Sequence, residues 1–459
     1  MKRRALSAFL IFCGLWVAPA SAEKRFIVRS NLGAQGLSQF CQVQGCTVVG
    51  GLDGTLSQLF LLTTPDDVDA TVFLNILRTT AGITGAELDQ LVILEVGLNR
   101  ITTVPPGLTD NTPINYFGQT VWNGYATQPA SQIVRVSEAQ STFQVAGAGI
   151  VADIDTGVDP NHPALQPVLL PGYDFTRNQP NGSEMTDFLG PTPPPNSSNV
   201  AQVNQSSAAV LDQSSAAVLD GNAQYAAFGH GTMVMGVIHL VAPQARLMPL
   251  KAFHSDGTGF LSDILRAVYY AVQNGANIIN MSFDTLTGSM ELTKAMDYAN
   301  QNNVICVASA GNDGIEEIVY PAAIQNDVMG VASTSDWDTR STFSNYGNAI
   351  VWVAAPGEGI ITTYPFSTYA ASWGTSFSAP FVSGTCALVL NLQPSANVSQ
   401  AATAVAHAVP AGAGMGNGRL DIVQTLQSIS GGSGTSPASL TSIPLPPQVL
   451  IPGVPNKLP

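Results

Sequence analysis

Residues 374–390, Gly-Thr-Ser-Phe-Ser-Ala-Pro-Phe-Val-Ser-Gly-Thr-Cys-Ala-Leu-Val-Leu, set a run of small residues directly in front of an apolar stretch with no charged side chain. A helix of that composition has no polar face to offer water, so other elements must enclose it, which demands a layered core. The small residues put Ser376 at the start of that helix, where unpaired N–H groups and the aligned peptide dipoles favour negative charge. A serine held there is either a helix cap or a nucleophile.

Two further stretches bear on that choice. Residues 149–157, Gly-Ile-Val-Ala-Asp-Ile-Asp-Thr-Gly, read as a short buried strand ending in Asp155, with a Thr-Gly turn exposing the carboxylate at its carboxyl end. Residues 229–238, Gly-His-Gly-Thr-Met-Val-Met-Gly-Val-Ile, place His230 at the start of a second apolar helix. Asp153 competes with Asp155, because residues two apart in a strand share a face. The order Asp, His, Ser is the one used by subtilisin. An α/β-hydrolase is excluded: Ser376 lacks a Gly-x-Ser-x-Gly elbow, and no acid lies between it and His407.

Together, Asp155-Thr156-Gly157, His230-Gly231-Thr232 and Gly374-Thr375-Ser376-Phe377-Ser378-Ala379-Pro380 resemble the signatures of the subtilisin-like serine proteases, the subtilase or peptidase S8 family. The resemblance implies an α/β, three-layer fold with a mainly parallel central sheet. It implies Ser376 as nucleophile, His230 as general base and acid, and Asp155 as the residue that orients the imidazole. The Thr-Gly after Asp155 matches the family and favours it over Asp153, where relatives usually carry an apolar residue. Ala308-Ser309-Ala310-Gly311-Asn312-Asp313-Gly314 resembles the element whose amide side chain meets the oxyanion, a role that falls to Asn312.

The substrate-binding positions follow from the same resemblance. Gly257, Thr258 and Gly259 correspond to the edge segment that pairs with extended substrate. Ser282, Phe283 and Asp284, followed by Thr285, stand where relatives read Ser-Leu-Gly-Gly along one pocket wall, and Gly311 adjoins the oxyanion residue. Losing both glycines adds bulk and a charge. Val319 stands where relatives often have a small residue at the pocket floor, so the expected pocket is shallow and prefers small apolar side chains.

Residues 1–22 have a secretory layout: Lys2-Arg3-Arg4, an apolar run from Leu6 to Val17, and Ala20-Ser21-Ala22 as the cleavage site. Their removal takes three cations and moves the formal charge from −14 to −17, which disfavours nucleic-acid partners. No later apolar stretch reaches the length of a membrane span. Residues 23–98 alternate strand and helix patterns: strands at 25–29, 58–62 and 91–95, helices at 37–43 and 66–77. In order and position they resemble the inhibitory propeptide of many subtilisin-like proteases, a small α+β domain; a generic binding domain is the alternative.

Residues 99–125 are polar and turn-rich, an exposed linker with the probable processing region. Residues 126–428, the catalytic domain, alternate apolar runs with helical patterns as a parallel sheet covered on both faces requires. Within them, 178–224 are rich in Pro, Asn, Ser and Gln and repeat QSSAAVLD at 205–212 and 213–220, an insertion that is either a tolerated surface loop or a lid. Residues 429–459 form a Ser/Gly/Pro-rich flexible tail.

Cys41 and Cys46 are close enough for a local disulfide in an exported chain, whereas Cys306 and Cys386 lie in apolar runs as buried thiols. His162, His239, His254 and His407 read as structural or surface residues, and no zinc ligand set is present. The chemistry needs no cofactor. An acidic exported chain either binds structural calcium, at sites that cannot be assigned, or is merely soluble. The expected partners are protein or peptide substrates and the chain's own propeptide. The leading expectation is therefore a secreted (extracellular or periplasmic), monomeric serine endopeptidase that processes itself. The alternative is an impaired, subtilisin-fold binding protein, for which the altered wall, Asp153 and the inserted repeat speak.

Overall fold

The computed structural model describes residues 23–94, 105–189, 201–204, 208–210 and 223–431. The expected signal peptide, most of the repeat and most of the tail lie outside the described residues.

The front unit is a four-stranded antiparallel sheet of β1 (Lys24–Ser30), β2 (Thr47–Gly51), β3 (Leu59–Thr64) and β4 (Ile83–Leu88), in the order β2-β3-β1-β4. Helices α1 (Gly33–Gln44) and α2 (Ala70–Thr79) cover one face. There Phe26, Val28, Phe60 and Leu62 close a small core with Leu37, Phe73 and Leu77. The alternate residues Ile27, Leu59 and Leu61 face the other way and join a core of the body, as the two-residue period of a strand dictates. Asp69 caps α2 by accepting from Val72 N, so the helix starts at residue 70 rather than 66. β2 and β4 escape the sequence pattern because Gly50, Gly51, Gly85 and Thr84 dilute their alternation. Cys41 and Cys46 form a disulfide across the end of α1. A short strand, β5 (Leu91–Ile93), leaves this unit and pairs elsewhere.

The expected exposed linker at 99–125 is corrected over its second half. β6 (Pro113–Tyr116) and β7 (Gln119–Trp122) form a hairpin whose turn, Phe117 (φ 50°) and Gly118 (φ 90°), supplies the two left-handed residues that a tight hairpin needs. It leads into α3 (Asn123–Thr127), α4 (Pro129–Ile133) and α5 (Val136–Phe143). Tyr125 is fully buried and donates to Gly236 O at 2.7 Å. The prolines and polar residues suggested a linker, but aromatic side chains dock this segment on the body.

The body is built on eight strands ordered β10-β9-β13-β8-β15-β16-β17-β18. These are β8 (Ile150–Asp155), β9 (Tyr173–Asp174), β10 (Gln179–Pro180), β13 (Arg246–Lys251), β15 (Ile278–Met281), β16 (Ile305–Ser309), β17 (Val328–Thr334) and β18 (Val353–Pro356), all parallel except β10 against β9. One face carries α6 (His230–Val241) and α9 (Thr375–Leu392); the other carries α7 (Leu261–Gln273) and α8 (Met290–Gln301). Val151, Ile278, Ile305 and Val307 face the α6/α9 layer, whereas Ala152, Ile154, Ile279 and Cys306 face α7/α8. By that alternation Asp153 and Asp155 both point to the α6/α9 side. α9 is buried from Thr375 to Leu390, as its lack of charge requires.

A second small sheet orders β12 (Ala208–Val210), β11 (Ala201–Asn204), β20 (Thr368–Ser372) and β19 (Ile360–Tyr364), so one strand of the inserted stretch, β11, pairs with the body and carries β12 on its outer edge. The insertion is also narrower than 178–224 at its front. Glu184 is fully buried and Asp187 nearly so, because their carboxylates serve interior donors despite the loop-like composition around them. Helices α10 (Val398–Val405) and α11 (Ile422–Ile429) complete the described chain. β14 (Thr258–Phe260) pairs antiparallel with β5 of the front unit.

Candidate active site

The Asp-Thr-Gly and His-Gly-Thr stretches interlock through their glycines. A Cβ on Gly231 would lie 2.1 Å from Gly157 O, so the start of α6 packs directly on the turn that follows Asp155. Gly157 itself sits at φ +102°, a conformation that a side chain would strain. Gly231 N donates to Thr156 Oγ1 at 3.0 Å, tying the two turns together. The result sets His230 Nδ1 2.7 and 2.8 Å from the two Asp155 oxygens, with both side chains fully buried. Asp155 Oδ1 also accepts from Thr156 N at 2.6 Å.

Asp153, the competitor, does not reach His230 by any hydrogen bond. Its Oδ1 accepts from Asn280 Nδ2 at 2.9 Å, while its Oδ2 is buried without a partner. Burial, and then the charge of Asp155, push its carboxyl well above the ordinary range. Asn280 accepts in turn from Ser383 Oγ at 2.7 Å and donates to Ser282 Oγ at 3.0 Å.

Ser376 occupies the first turn of α9. Pro380 lacks the N–H that would bond the Ser376 carbonyl four residues back, and that carbonyl accepts instead from Ser282 Oγ at 2.8 Å. Ser376 Oγ donates to Ser282 O at 3.1 Å, and His230 Nε2 is buried with no hydrogen-bond partner. The Ser376–His230 hydrogen bond expected from the sequence is thus not made in this conformation. Asn312 Oδ1 accepts from Thr375 N at 2.9 Å and Thr375 Oγ1 at 3.0 Å, which holds the amide beside the turn that starts α9.

The expected substrate positions divide. Gly257, Thr258 and Gly259 form an edge already occupied by the chain itself: Thr258 faces Ile93, Gly259 faces Val92, and Leu94 N donates to Gly257 O at 2.8 Å. A Cβ on Gly259 would lie 2.5 Å from Ala252 O, so glycine is required there. Ser282 sits between Ser376 and Asn280 as described. Phe283 turns inward, its ring 5.1 Å from that of Phe253, so its bulk goes to the core rather than to a pocket wall. Asp284 is buried close to Gly311, where a Cβ would come 3.3 Å from Asp284 Oδ2 and 2.4 Å from Asn345 Nδ2. Val319 is fully buried, just before the cis Tyr320–Pro321 bond. Of the other histidines, His162 and His239 are buried and hydrogen-bonded, to Thr368 O and Tyr125 Oη respectively. Among the described residues, no group of three or more His, Cys, Asp or Glu side chains is arranged to hold a metal ion.

Sequence reasoning missed the polar residues behind the pair: Glu184, Thr156, Thr232, Lys251 and Asp187. Lys251, fully buried, donates to Asp187 Oδ2, Thr156 O and Phe253 O at 2.8, 2.8 and 2.6 Å. The available signal was a lysine closing an apolar strand, a position that lysine rarely takes without partners.

The model of the Subtilase family matches residues 147–436. Thermitase of Thermoactinomyces vulgaris is 31% identical over 285 residues, which cover 60% of this chain and 86% of thermitase. Subtilisin BL of Lederbergia lenta is 38% identical over 176 residues, 36% of this chain and 65% of that protein. A crystal structure of a lanthipeptide protease superposes with a TM-score of 0.50 at 23% identity, over 66% of this chain and 97% of that one, a likeness of fold. With the family match spanning the strands and helices that carry Asp155, His230, Asn312 and Ser376, the chain belongs to the subtilase family and is a serine endopeptidase.

Proposed function

We propose that this protein is a secreted serine endopeptidase, made as a precursor, whose catalytic residues are Asp155, His230 and Ser376 with Asn312 as oxyanion donor. The observation that carries the reading is the bond from His230 Nδ1 to buried Asp155, set against the start of a buried helix that holds Ser376. Ser376 Oγ attacks the scissile carbonyl while His230 Nε2 takes its proton and then hands it to the leaving amine. Asp155 keeps the Nδ1 proton in place and stabilises the imidazolium. The amide nitrogen of Asn312 and the backbone N–H of Ser376 receive the charge on the tetrahedral oxygen. Secretion is supported by the layout of residues 1–22.

The front unit fits the part of an intramolecular inhibitor. Its strand β5 lies along Gly257–Gly259 as an extended peptide would, with Val92 and Leu94 buried and Leu91 and Ile93 exposed. Two of its carboxylates cap body helices: Asp89 accepts from Ser262 N at 2.8 Å at the start of α7, and Glu87 accepts from Met290 N at 3.2 Å and from Ser289 Oγ at the start of α8. Self-cleavage then falls downstream of Leu94. Expressing the secreted chain beside Ser376→Ala and measuring the N-terminus and mass of each tests this reading. A shortened species from the wild type alone is the expected result; equal processing of both would defeat it.

One observation bears on the role proposed for Ser376: its Oγ is engaged with Ser282 O instead of His230. A serine-directed phosphonate decides, since only a hydroxyl activated by His230 is labelled. Val319, at the position expected for the pocket floor, motivates a preference for small apolar side chains before the cut. Profiling on a peptide library tests it, and a strong preference for Phe or Leu would rule it out.

A further inference from the structure

A third carboxylate stands behind the Asp155–His230 pair, and no motif announces it. Glu184 is fully buried, and its backbone is stitched to the turn after Asp155, with Val158 N donating to Gly182 O at 2.9 Å and Glu184 N to Val158 O at 3.1 Å. Its Oε2 accepts from Thr156 Oγ1 and from Gly229 N, both at 2.9 Å. Its Oε1 accepts from Thr232 Oγ1. Both hydroxyls are themselves fixed by backbone donors: Thr156 Oγ1 accepts from Gly231 N at 3.0 Å, and Thr232 Oγ1 accepts from Asp159 N at 2.7 Å.

Thr156 follows Asp155 and Gly229 precedes His230, so one side chain grips the neighbour of each member of the pair. We infer that Glu184 is a positioning residue for catalysis, holding the turn after Asp155 and the first turn of the His230 helix in the one register that keeps Nδ1 on Asp155.

The donor pattern favours the ionised form. Three donors converge on two oxygens, and a carboxylic proton would have to point at one of them. The start of α6 adds the favourable end of the helix dipole. The charged surroundings are mixed: Asp153 and Asp155 on β8, His230 on α6, Tyr364 on β19, and Lys251 on β13 with Asp187 and Arg177 behind it. Burial dominates and pushes Glu184 up to about 7, against the lowering by Thr232, Thr156, Lys251 and Gly229.

Two consequences of opposite sign follow. An acid whose value is raised on folding stabilises the fold when it takes up a proton, so this group adds stability as pH falls from about 7 to its ordinary 4.5. The same proton removes an acceptor and loosens the grip on Gly229 and Thr156. Activity therefore falls on acidification without any loss of folded protein at this group, and the acid limb contains a second proton besides the one on the general base.

The inference rests on the triad reading, and the experiment separates the two. Mature wild type and Glu184→Gln, and Ser376→Ala matured in trans by wild-type enzyme that is then removed, are compared for kcat and KM on one peptide substrate between about pH 5 and 9, with thermal midpoints and active-site titration. Glu184→Gln is expected to lower kcat about 10- to 100-fold with KM within about threefold, because small misplacements of catalytic groups cost rate more than binding. Its acid limb should also drop from a slope above one to a slope of one. Wild-type kcat and an unchanged limb in Glu184→Gln, with Ser376→Ala inactive, would overturn the role of Glu184 alone. Turnover surviving in Ser376→Ala would overturn the triad reading instead. Where Glu184→Gln yields no folded enzyme, Thr156→Val, which keeps the charge but removes one donor to Glu184 and the acceptor of Gly231 N, must show the same fall in kcat at constant KM; wild-type kcat there overturns the inference.

Discussion

The front unit and the body solve the problem of burying apolar surface at different scales, and they are joined accordingly. The body encloses a sheet between two helical layers, with buried side chains on both faces of every central strand. The front unit closes only one face of its sheet with its own helices; Ile27, Leu59 and Leu61 on the other face are covered by the body. Around that shared face the contacts are ionic and helix-capping: Arg29 with Glu291 at 2.6 Å, Arg25 and Asp89 with Ser262, Glu87 with Ser289. Such contacts give register and orientation. A unit joined this way suits the proposed role of a removable inhibitor.

The strongest way to break this comparison is to disable the proposed nucleophile. Ser376→Ala should lower proteolysis by on the order of 10⁶ and leave the front unit covalently attached, as read by mass and by N-terminal sequencing. Asn312→Ala should slow both turnover and precursor conversion by about 10² to 10³, in parallel, since each passes through the same oxyanion. Conversion that stayed fast while turnover fell would separate the two reactions.

Smaller changes sharpen the contrast from the front side. Arg29→Ala leaves Glu291, 2% exposed, with only Lys294 as ion-pair partner. Adding a variant front segment in trans to mature enzyme should raise its inhibition constant by roughly 10- to 100-fold, in line with about 1–3 kcal/mol for an unsatisfied charged partner. The thermal midpoint of the body should not move. The Cys41→Ser, Cys46→Ser pair opens a loop of sequence separation 5, for which chain entropy allows at most about 2 kcal/mol. Differential scanning of the Ser376→Ala precursor should show only the front-unit transition shifting downward. A body transition that followed it would mean the two units melt as one.

The two regions also differ in how much could be read from the chain. In the body, Asp155, His230, Asn312 and Ser376 sit in stretches whose function and local geometry coincide: glycines where backbones touch, an apolar helix behind the serine, a strand end under the aspartate. Short-range periodicity locates those elements within a few residues. In the front unit, β2 and β4 were invisible because their glycines and threonine break the alternation that a strand pattern needs. The segment 113–127 was misread for the opposite reason, since its prolines and polar residues mask three aromatic side chains, Tyr116, Trp122 and Tyr125, that fasten it to the body.

The sequence alone determined the layered fold and the motifs, because both depend on neighbours within one strand or one helix turn. It left Asp153 and Asp155 as rivals on one strand face. Only the tertiary structure decided between them, by bringing His230 to Asp155 and Asn280 to Asp153. It likewise decided that Ser376 rests on Ser282 O and that Glu184, Thr156 and Thr232 meet. These are hydrogen bonds between groups 28 to 127 residues apart. No local pattern encodes such a meeting; it exists only once packing has fixed which turn lies against which.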